Sequence, residues 1–238
     1  MSSITYGGHG FDALVSAELL EPASLSVLPT TERVPGRPGL LLLGGEVEPL
    51  ELRVRLFMDD PAALSVAERA SVRATLRAWL LRPEGAELSV PGEPDRTWHD
   101  AVCTDVSDWS SLLSDGSTTV SFTCMDPIAY GAQGSSSLSD FDVGGTWPTL
   151  PTAELIASGG SFVQLSGGAG CYVRLEANFA EGDVVRIDFA AQTATVNGQD
   201  ATASVALDSD FFALEPAENS LSFLGCSSHT VLWVERWA

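Results

Sequence analysis

Only one stretch of this chain repeats its apolar residues with the period of an α-helix, so the rest of the fold has to come from strands and turns. The stretch opens at S-V-A-E. There the Ser65 hydroxyl can accept from the Glu68 amide while the Glu68 carboxylate reaches back to the Ser65 amide, satisfying donors that a helix start leaves open. Val72, Leu76, Trp79 and Leu80 recur at helical spacing and make one apolar face, with Trp79 as its core anchor, and Arg69, Arg73 and Arg77 are expected on the opposite side. Pro83 cannot continue the ladder and pushes Arg82 out of helical geometry, and Gly85 turns the chain into a strand over 86–90. The spacing therefore predicts one helix over 65–82, lying on something apolar.

Around it the first half reads as β structure. Residues 51–57 alternate, with Leu52, Val54 and Leu56 on one face and Glu51, Arg53 and Arg55 on the other, as in a half-buried antiparallel strand. Residues 101–106 and 119–125 are predicted to pair as a hairpin through S-D-W-S-S-L-L-S-D-G, where Asp115-Gly116 is the turn signal. Residues 34–39, V-P-G-R-P-G, hold two prolines and two glycines and are expected to form a loop or mobile arm. The four leucines that follow lack the alternation of a half-exposed strand, so they are expected to find cover only on a neighbouring subunit. Pro35, Arg37, Leu41 and Leu43 are the candidate oligomer-interface residues.

After Tyr130 no helical period appears. Short strands are predicted at 162–165, 171–175, 184–189, 193–196, 220–223 and 230–234, separated by Gly- and Asn-Gly-rich turns, which is the pattern of a β-sandwich. The segment G-S-S-S-L-S, residues 134–139, reads as a linker, giving domains over 1–133 and 140–238. In the last strand Leu232 and Val234 fall on one face and Trp233 and Trp237 on the other, so one pair is expected in the core.

Charge excludes some functions. Twelve arginines and no lysine face 32 acids, a formal net charge of −20, and each half of the chain carries half of it. Nucleic-acid binding needs a basic surface and is disfavoured. The first twelve residues have no basic start followed by an apolar run, so no export signal is expected. Cys103, Cys124, Cys171 and Cys226 stand tens of residues apart, which predicts reduced thiols rather than a zinc site.

Catalytic signatures are also missing. The Gly167-Gly168-Ala169-Gly170 turn has no following lysine for a phosphate, and there is no G-x-S-x-G elbow. His9, His99 and His229 lie in turns or at a strand start and are expected to be solvated. Asp100, Asp105 and Asp108, or Asp208 and Asp210, could flank a glycosidic bond, but acids this abundant pair by chance. Trp147, Tyr172, Trp233 and Trp237 are candidates for a partner-binding or sugar-stacking face. No catalytic residue, cofactor or metal site is expected.

The order of these features resembles the distal tail protein (Dit) family of siphophages. The matching segments are I-T-Y-G-G (4–8), P-G-R-P-G (35–39), A-W-L-L-R-P (78–83) and V-S-F-T-C-M-D-P-I-A-Y (120–130). A closing block follows: A-T-V-N-G-Q-D, D-S-D-F-F-A-L-E-P-A-E-N-S-L-S-F and V-L-W-V-E-R-W. Within that block Ala217 stands where the family's turn usually has glycine.

The resemblance implies a mainly β protein, with an N-terminal β-barrel or split-barrel-like domain carrying one helix and a C-terminal galectin-like β-sandwich. It implies a virion protein at the tail tip, made in the host cytoplasm, that forms a hexameric ring. Its partners would be its own copies, the tail tube protein and the tail-associated, fibre or receptor-binding proteins, with DNA passing through the lumen and no membrane insertion. The alternative from a different class is a carbohydrate-binding or glycan-cleaving β-sandwich protein, motivated by the aromatics and acids above.

Overall fold

The computed structural model describes residues 4–21 and 24–238, which fall into two compact units that divide between Tyr130 and Gly131. The first unit holds, in chain order, β1 (Thr5–Tyr6), β2 (His9–Gly10), β3 (Ser16–Leu19), β4 (Val27–Glu32), β5 (Leu41–Val47) and β6 (Leu50–Phe57). It continues with α1 (Val66–Leu80), β7 (Ala86–Ser89), β8 (Trp98–Val106), α2 (Trp109–Ser114) and β9 (Ser117–Cys124). Seven of these strands form one sheet in the order β2-β1-β7-β8-β9-β6-β3, while β4 and β5 form a separate two-stranded ribbon.

The alternation read from residues 51–57 is realised in β6, whose Leu50, Leu52, Val54 and Leu56 are at most 3% exposed. They sit opposite Cys124, Phe122, Val120 and Thr118 of β9, all buried as well. Each such apolar side chain removed from water contributes about 1.5–3 kcal/mol, so this pair of strands is the backbone of the unit. The expected barrel does not form. Among the described residues no ladder joins β2 to β3, because β2 is two residues long and the chain leaves β3 for the β4–β5 ribbon, so neither edge offers a strand long enough for closure.

Helix α1 starts at Ser65 with both bonds of the expected capping box. Its buried residues are Leu76 and Leu80, but its arginines do not share one outer side. Arg69 lies seven residues before Leu76, almost two full turns, so it points the same way; its guanidinium donates to the Leu113 carbonyl and ties α1 to α2. Trp79 is half-buried, stacked on His9 at 4.7 Å and tilted against Phe11 at 5.4 Å. The segment expected as a plain turn between β8 and β9 holds α2. Asp108 caps it by accepting from the Ser110 amide at 2.7 Å, and Leu112 plugs it into the core.

The second unit holds most of β10 (Ala129–Ser136), then β11 (Asp140–Val143), β12 (Thr152–Ser166), β13 (Tyr172–Asp188), β14 (Thr193–Val196) and β15 (Gln199–Asp200). It ends with β16 (Ala217–Ser220), β17 (Ser222–Leu224) and β18 (Cys226–Trp237). The large sheet runs β10-β18-β12-β13-β14-β15, with β17 also on β12, and β11 pairs with β16. Strands expected as separate pieces at 171–175 and 184–189 are one strand, β13, which stays paired with β12 through two register shifts. At the bend Gly159 and Gly160 have φ of +85° and +124°, a backbone that side-chain-bearing residues rarely adopt. Ala153, Leu155 and Ala157 before the bend and Val163 and Leu165 after it all enter one core, giving the sandwich.

The expected linker is also structured. Residues 134–136 belong to β10, and a Cβ on Gly134 would lie 2.4 Å from the Trp233 indole, so that position must be glycine for the strand to pack. The small side chains that read as a flexible tether are there to let the backbone approach an aromatic ring.

Candidate interaction surfaces

The β4–β5 ribbon is the part of the first unit whose sequence and surroundings disagree most. Every residue of β4 is exposed, and in β5 only Leu41 and Val47 are half-buried. Val27 is 60% exposed, Leu28 57%, Leu40 57%, Leu42 67% and Leu43 58%. Cross-strand pairs put Val27 opposite Val47 and Thr31 opposite Leu42, with a one-residue bulge at Leu43 where the register shifts. The tip is closed by the Arg37 amide donating to the Val34 carbonyl at 3.2 Å, and the base by the Ser26 hydroxyl on the Glu48 carboxylate at 2.8 Å.

A lone two-stranded ribbon is marginal in water, and its exposed leucines make it a candidate binding surface. Covering one such leucine returns about 1.5–3 kcal/mol. Of the candidate interface residues, Pro35 and Arg37 are exposed at the tip and Leu43 is exposed at the bulge. Leu41 is half-buried, so the chain's own contribution there is larger than the run of four leucines suggests. Val27, Leu28 and Leu42 complete the surface. The V-L-P-T-T sequence of β4 hid the first two, because a proline inside a short strand reads as its end.

The four aromatics of the second unit do not form one face. Trp233 is 8% exposed, stacked on Phe141 at 4.9 Å, and belongs to the core, while its neighbour Leu232 points out. Trp147 and Trp237 are half-buried near the end of β18, where the Trp147 amide donates to the Arg236 carbonyl and Trp237 packs over Gly131. Tyr172 stands at the start of β13, its hydroxyl donating to Asp208 at 2.5 Å. That bond pushes the Tyr172 pKa up and holds the Asp208 carboxyl down.

Two of the five acids considered for glycoside chemistry have local tasks. Asp108 is the α2 cap, and the Ser110 hydroxyl and amide and the Ser111 hydroxyl hold its pKa down at about 2. Asp208 anchors Tyr172. The three histidines contact aromatic rings rather than being simply solvated: His9 stacks on Trp79, His99 lies edge-on to Tyr130 at 4.4 Å, and His229 stacks on Phe223 at 3.5 Å. The cysteines are free, and burial pushes Cys103 up to about 11 and Cys124 up to about 12, so both are neutral thiols near pH 7. Among the described residues no group of three or more His, Cys, Asp or Glu is placed to hold a metal, and no helix is long and apolar enough to cross a membrane.

One turn carries visible strain. Ala217 has φ of +93°, where glycine is favoured. The turn is held by the Asn219 side chain, which donates to the Glu215 and Ala217 carbonyls at 2.8 and 2.9 Å and accepts from the Glu215 amide.

Residues 144–237 match the family described as siphovirus-type tail component, C-terminal domain. The whole chain matches the Dit (gp 19.1) protein of phage SPP1, described as a paradigm of the hub adsorption apparatus in phages infecting Gram-positive bacteria. The TM-score is 0.81 at 17% identity, with 100% of each chain covered. A chain of the phage P2 baseplate in its activated conformation with Ca matches over 99% of this chain and 98% of that one, but a TM-score of 0.47 at 8% identity is too loose to weigh. Comparison with curated proteins gives no match. The fold expected from the motifs is therefore shared from end to end, and most of the second unit, residues 144–237, matches the tail-component family model.

Proposed function

We propose that this chain is a distal tail protein of a siphophage, a non-catalytic structural hub at the tip of the virion tail. In this reading six copies form a ring that joins the tail tube to the host-adsorption proteins and lets the genome pass through its lumen. The observation that carries it is the full-length match to a protein described as an adsorption hub, to which the match of residues 144–237 to a tail-component domain adds an independent line.

Two physical features fit. The exposed leucines of β4–β5 need a partner to cover them, and a neighbouring copy supplies one at every position of a ring. Six copies at −20 each carry about −120, a surface that repels polyphosphate and would not hold passing DNA. The glycan-binding alternative has no gathered site in its favour, since its aromatics are divided between the core and separate edges.

Native mass measurement and negative-stain imaging of the purified protein test the reading. A six-copy ring is the expected result, whereas a persistent monomer with measurable glycan affinity overturns it. No gel shift with double-stranded DNA is expected even at low salt, where non-specific binding is strongest. Micromolar binding that fades as salt rises would overturn the passive conduit.

A further inference from the structure

The chain has three asparagines, each followed by a residue of different size: Phe179 after Asn178, Gly198 after Asn197 and Ser220 after Asn219. The following residue matters because its backbone nitrogen can attack the asparagine side-chain carbon Cγ, and glycine, having no side chain, hinders that approach least. By covalent structure alone Asn197-Gly198 is the most reactive of the three pairs. It forms the exposed two-residue turn between β14 and β15, where Val196 pairs with Gln199 and φ is +49° and +78° at the two turn residues. Both are left-handed, as a tight hairpin of this kind requires.

The fold holds that side chain by both of its polar atoms. Asn197 Nδ2 donates to the Asp183 carboxylate at 2.9 Å, and Oδ1 accepts from the Val184 amide at 2.9 Å. The Asn197 backbone N–H donates to the Val184 carbonyl at 2.8 Å, so the whole residue is tied to β13. Asp183 is in turn fixed beside Gly182 by accepting from the Ala180 amide at 2.8 Å. The bonds from Asn197 and Ala180 hold the Asp183 carboxyl below the usual carboxylate range, so the acceptor facing Asn197 is ionised near neutral pH. Ring closure expels Nδ2 and turns Cγ onto the Gly198 nitrogen, so the bond to Asp183 cannot survive it.

We propose that Asn197 is a self-modifying site that converts to aspartate or isoaspartate, and that its bonds to Asp183 and Val184 set how slowly it does so. The Gly198 nitrogen loses its proton to solvent base and bonds to Asn197 Cγ, the Cγ–Nδ2 bond breaks, and ammonia leaves a succinimide. Water then opens one of the two imide C–N bonds, so overall one water enters and one ammonia departs. The product places a carboxylate where an amide donated to Asp183. Glu181, Asp183 and Asp200, the charged residues of the two turns, are all acids, and the first arginine beyond them on β13 is Arg186. The new charge is therefore repelled, and the turn at Gly182 is released from the turn at Asn197. A particle that has left its host cannot replace its proteins, so in the tail-tip reading this clamp sets a chemical lifetime; the chemistry itself does not depend on the ring.

The test incubates the full-length protein in mildly alkaline buffer, folded or in urea, and follows peptides covering each asparagine by mass spectrometry. In urea residue 197 should be modified before residues 178 and 219, and in the folded protein about tenfold or more slowly than in urea. Asp183→Ala should remove most of that protection, and Asp183→Asn, which keeps an acceptor, less of it. A folded rate equal to that in urea, a different asparagine reacting first, or a folded Asp183→Ala protein no faster than wild type overturns the proposal. Should Asp183→Ala melt below the incubation temperature, the wild-type ratio and Asp183→Asn decide. Asn197→Asp reads the consequence: its Tm should fall at neutral pH, and the deficit should narrow as the pH drops and the facing carboxyls protonate. A Tm equal to wild type at neutral pH would overturn the release of the turn.

Discussion

The β12–β13 pair and the β4–β5 ribbon are both antiparallel hairpins, yet one lines a buried core and the other is exposed along nearly all of its length. Along β12 and β13, alternate residues reach zero exposure on the inward face, and both halves of the bent pair share one core. Along β4–β5 neither face is covered, although the ribbon holds more leucines than either long strand. Leucine content therefore does not decide burial; a second layer does. The long pair shifts register around Gly159 and Gly160 and both of its halves feed one core, whereas the ribbon's side chains join no core of this chain.

This contrast can be broken most directly at Leu165. Its truncation to Ala should cost about 2–5 kcal/mol in denaturant melts of the full chain, since it is fully buried in the shared core. A loss below 1 kcal/mol would mean that the two halves of the pair do not enclose one core. Trp79→Ala should cost about 2 kcal/mol, less than a core anchor would, because the ring is half-exposed and owes its contacts to His9 and Phe11. Thermal melts that place it level with Leu165→Ala would restore it to the core.

Strain offers a change of opposite sign. Ala217→Gly should raise stability by about 1 kcal/mol, read as an increase in Tm, because a left-handed alanine is relieved in a turn that Asn219 already holds. A fall in Tm would show that glycine's added freedom in the unfolded chain outweighs the relief. The smallest effect belongs to the ribbon: Leu42→Ser should shift monomer stability by less than about 0.5 kcal/mol while weakening assembly. A large loss in the isolated chain, with assembly intact, would make the ribbon an ordinary part of the fold.

Much of the first unit was legible because its signals are local. The Ser65–Glu68 capping box, the α1 span and the alternation of β6 each follow from residues within one turn or one strand of each other. The short helix α2 left only the Asp108 cap as its signal, and the Asp115-Gly116 turn beside it drew the reading toward a plain loop. Arg69 could have been placed on the buried side of α1 by counting seven residues to Leu76; its charge argued otherwise until the Leu113 carbonyl supplied a partner.

By itself the sequence determined a mainly β chain with one principal helix, a strongly acidic composition without lysine, and a loop over residues 34–39, since propensity, capping, alternation and charge are properties of neighbouring residues. Tertiary structure alone decided that residues 172–188 form one bent strand, that residues 134–136 are strand against Trp233, that Trp233 goes inward and Leu232 outward, and that no barrel closes. Each of these depends on what lies across a face or beyond an edge. Pairing between distant segments sets those neighbours, and no periodicity along the chain encodes them.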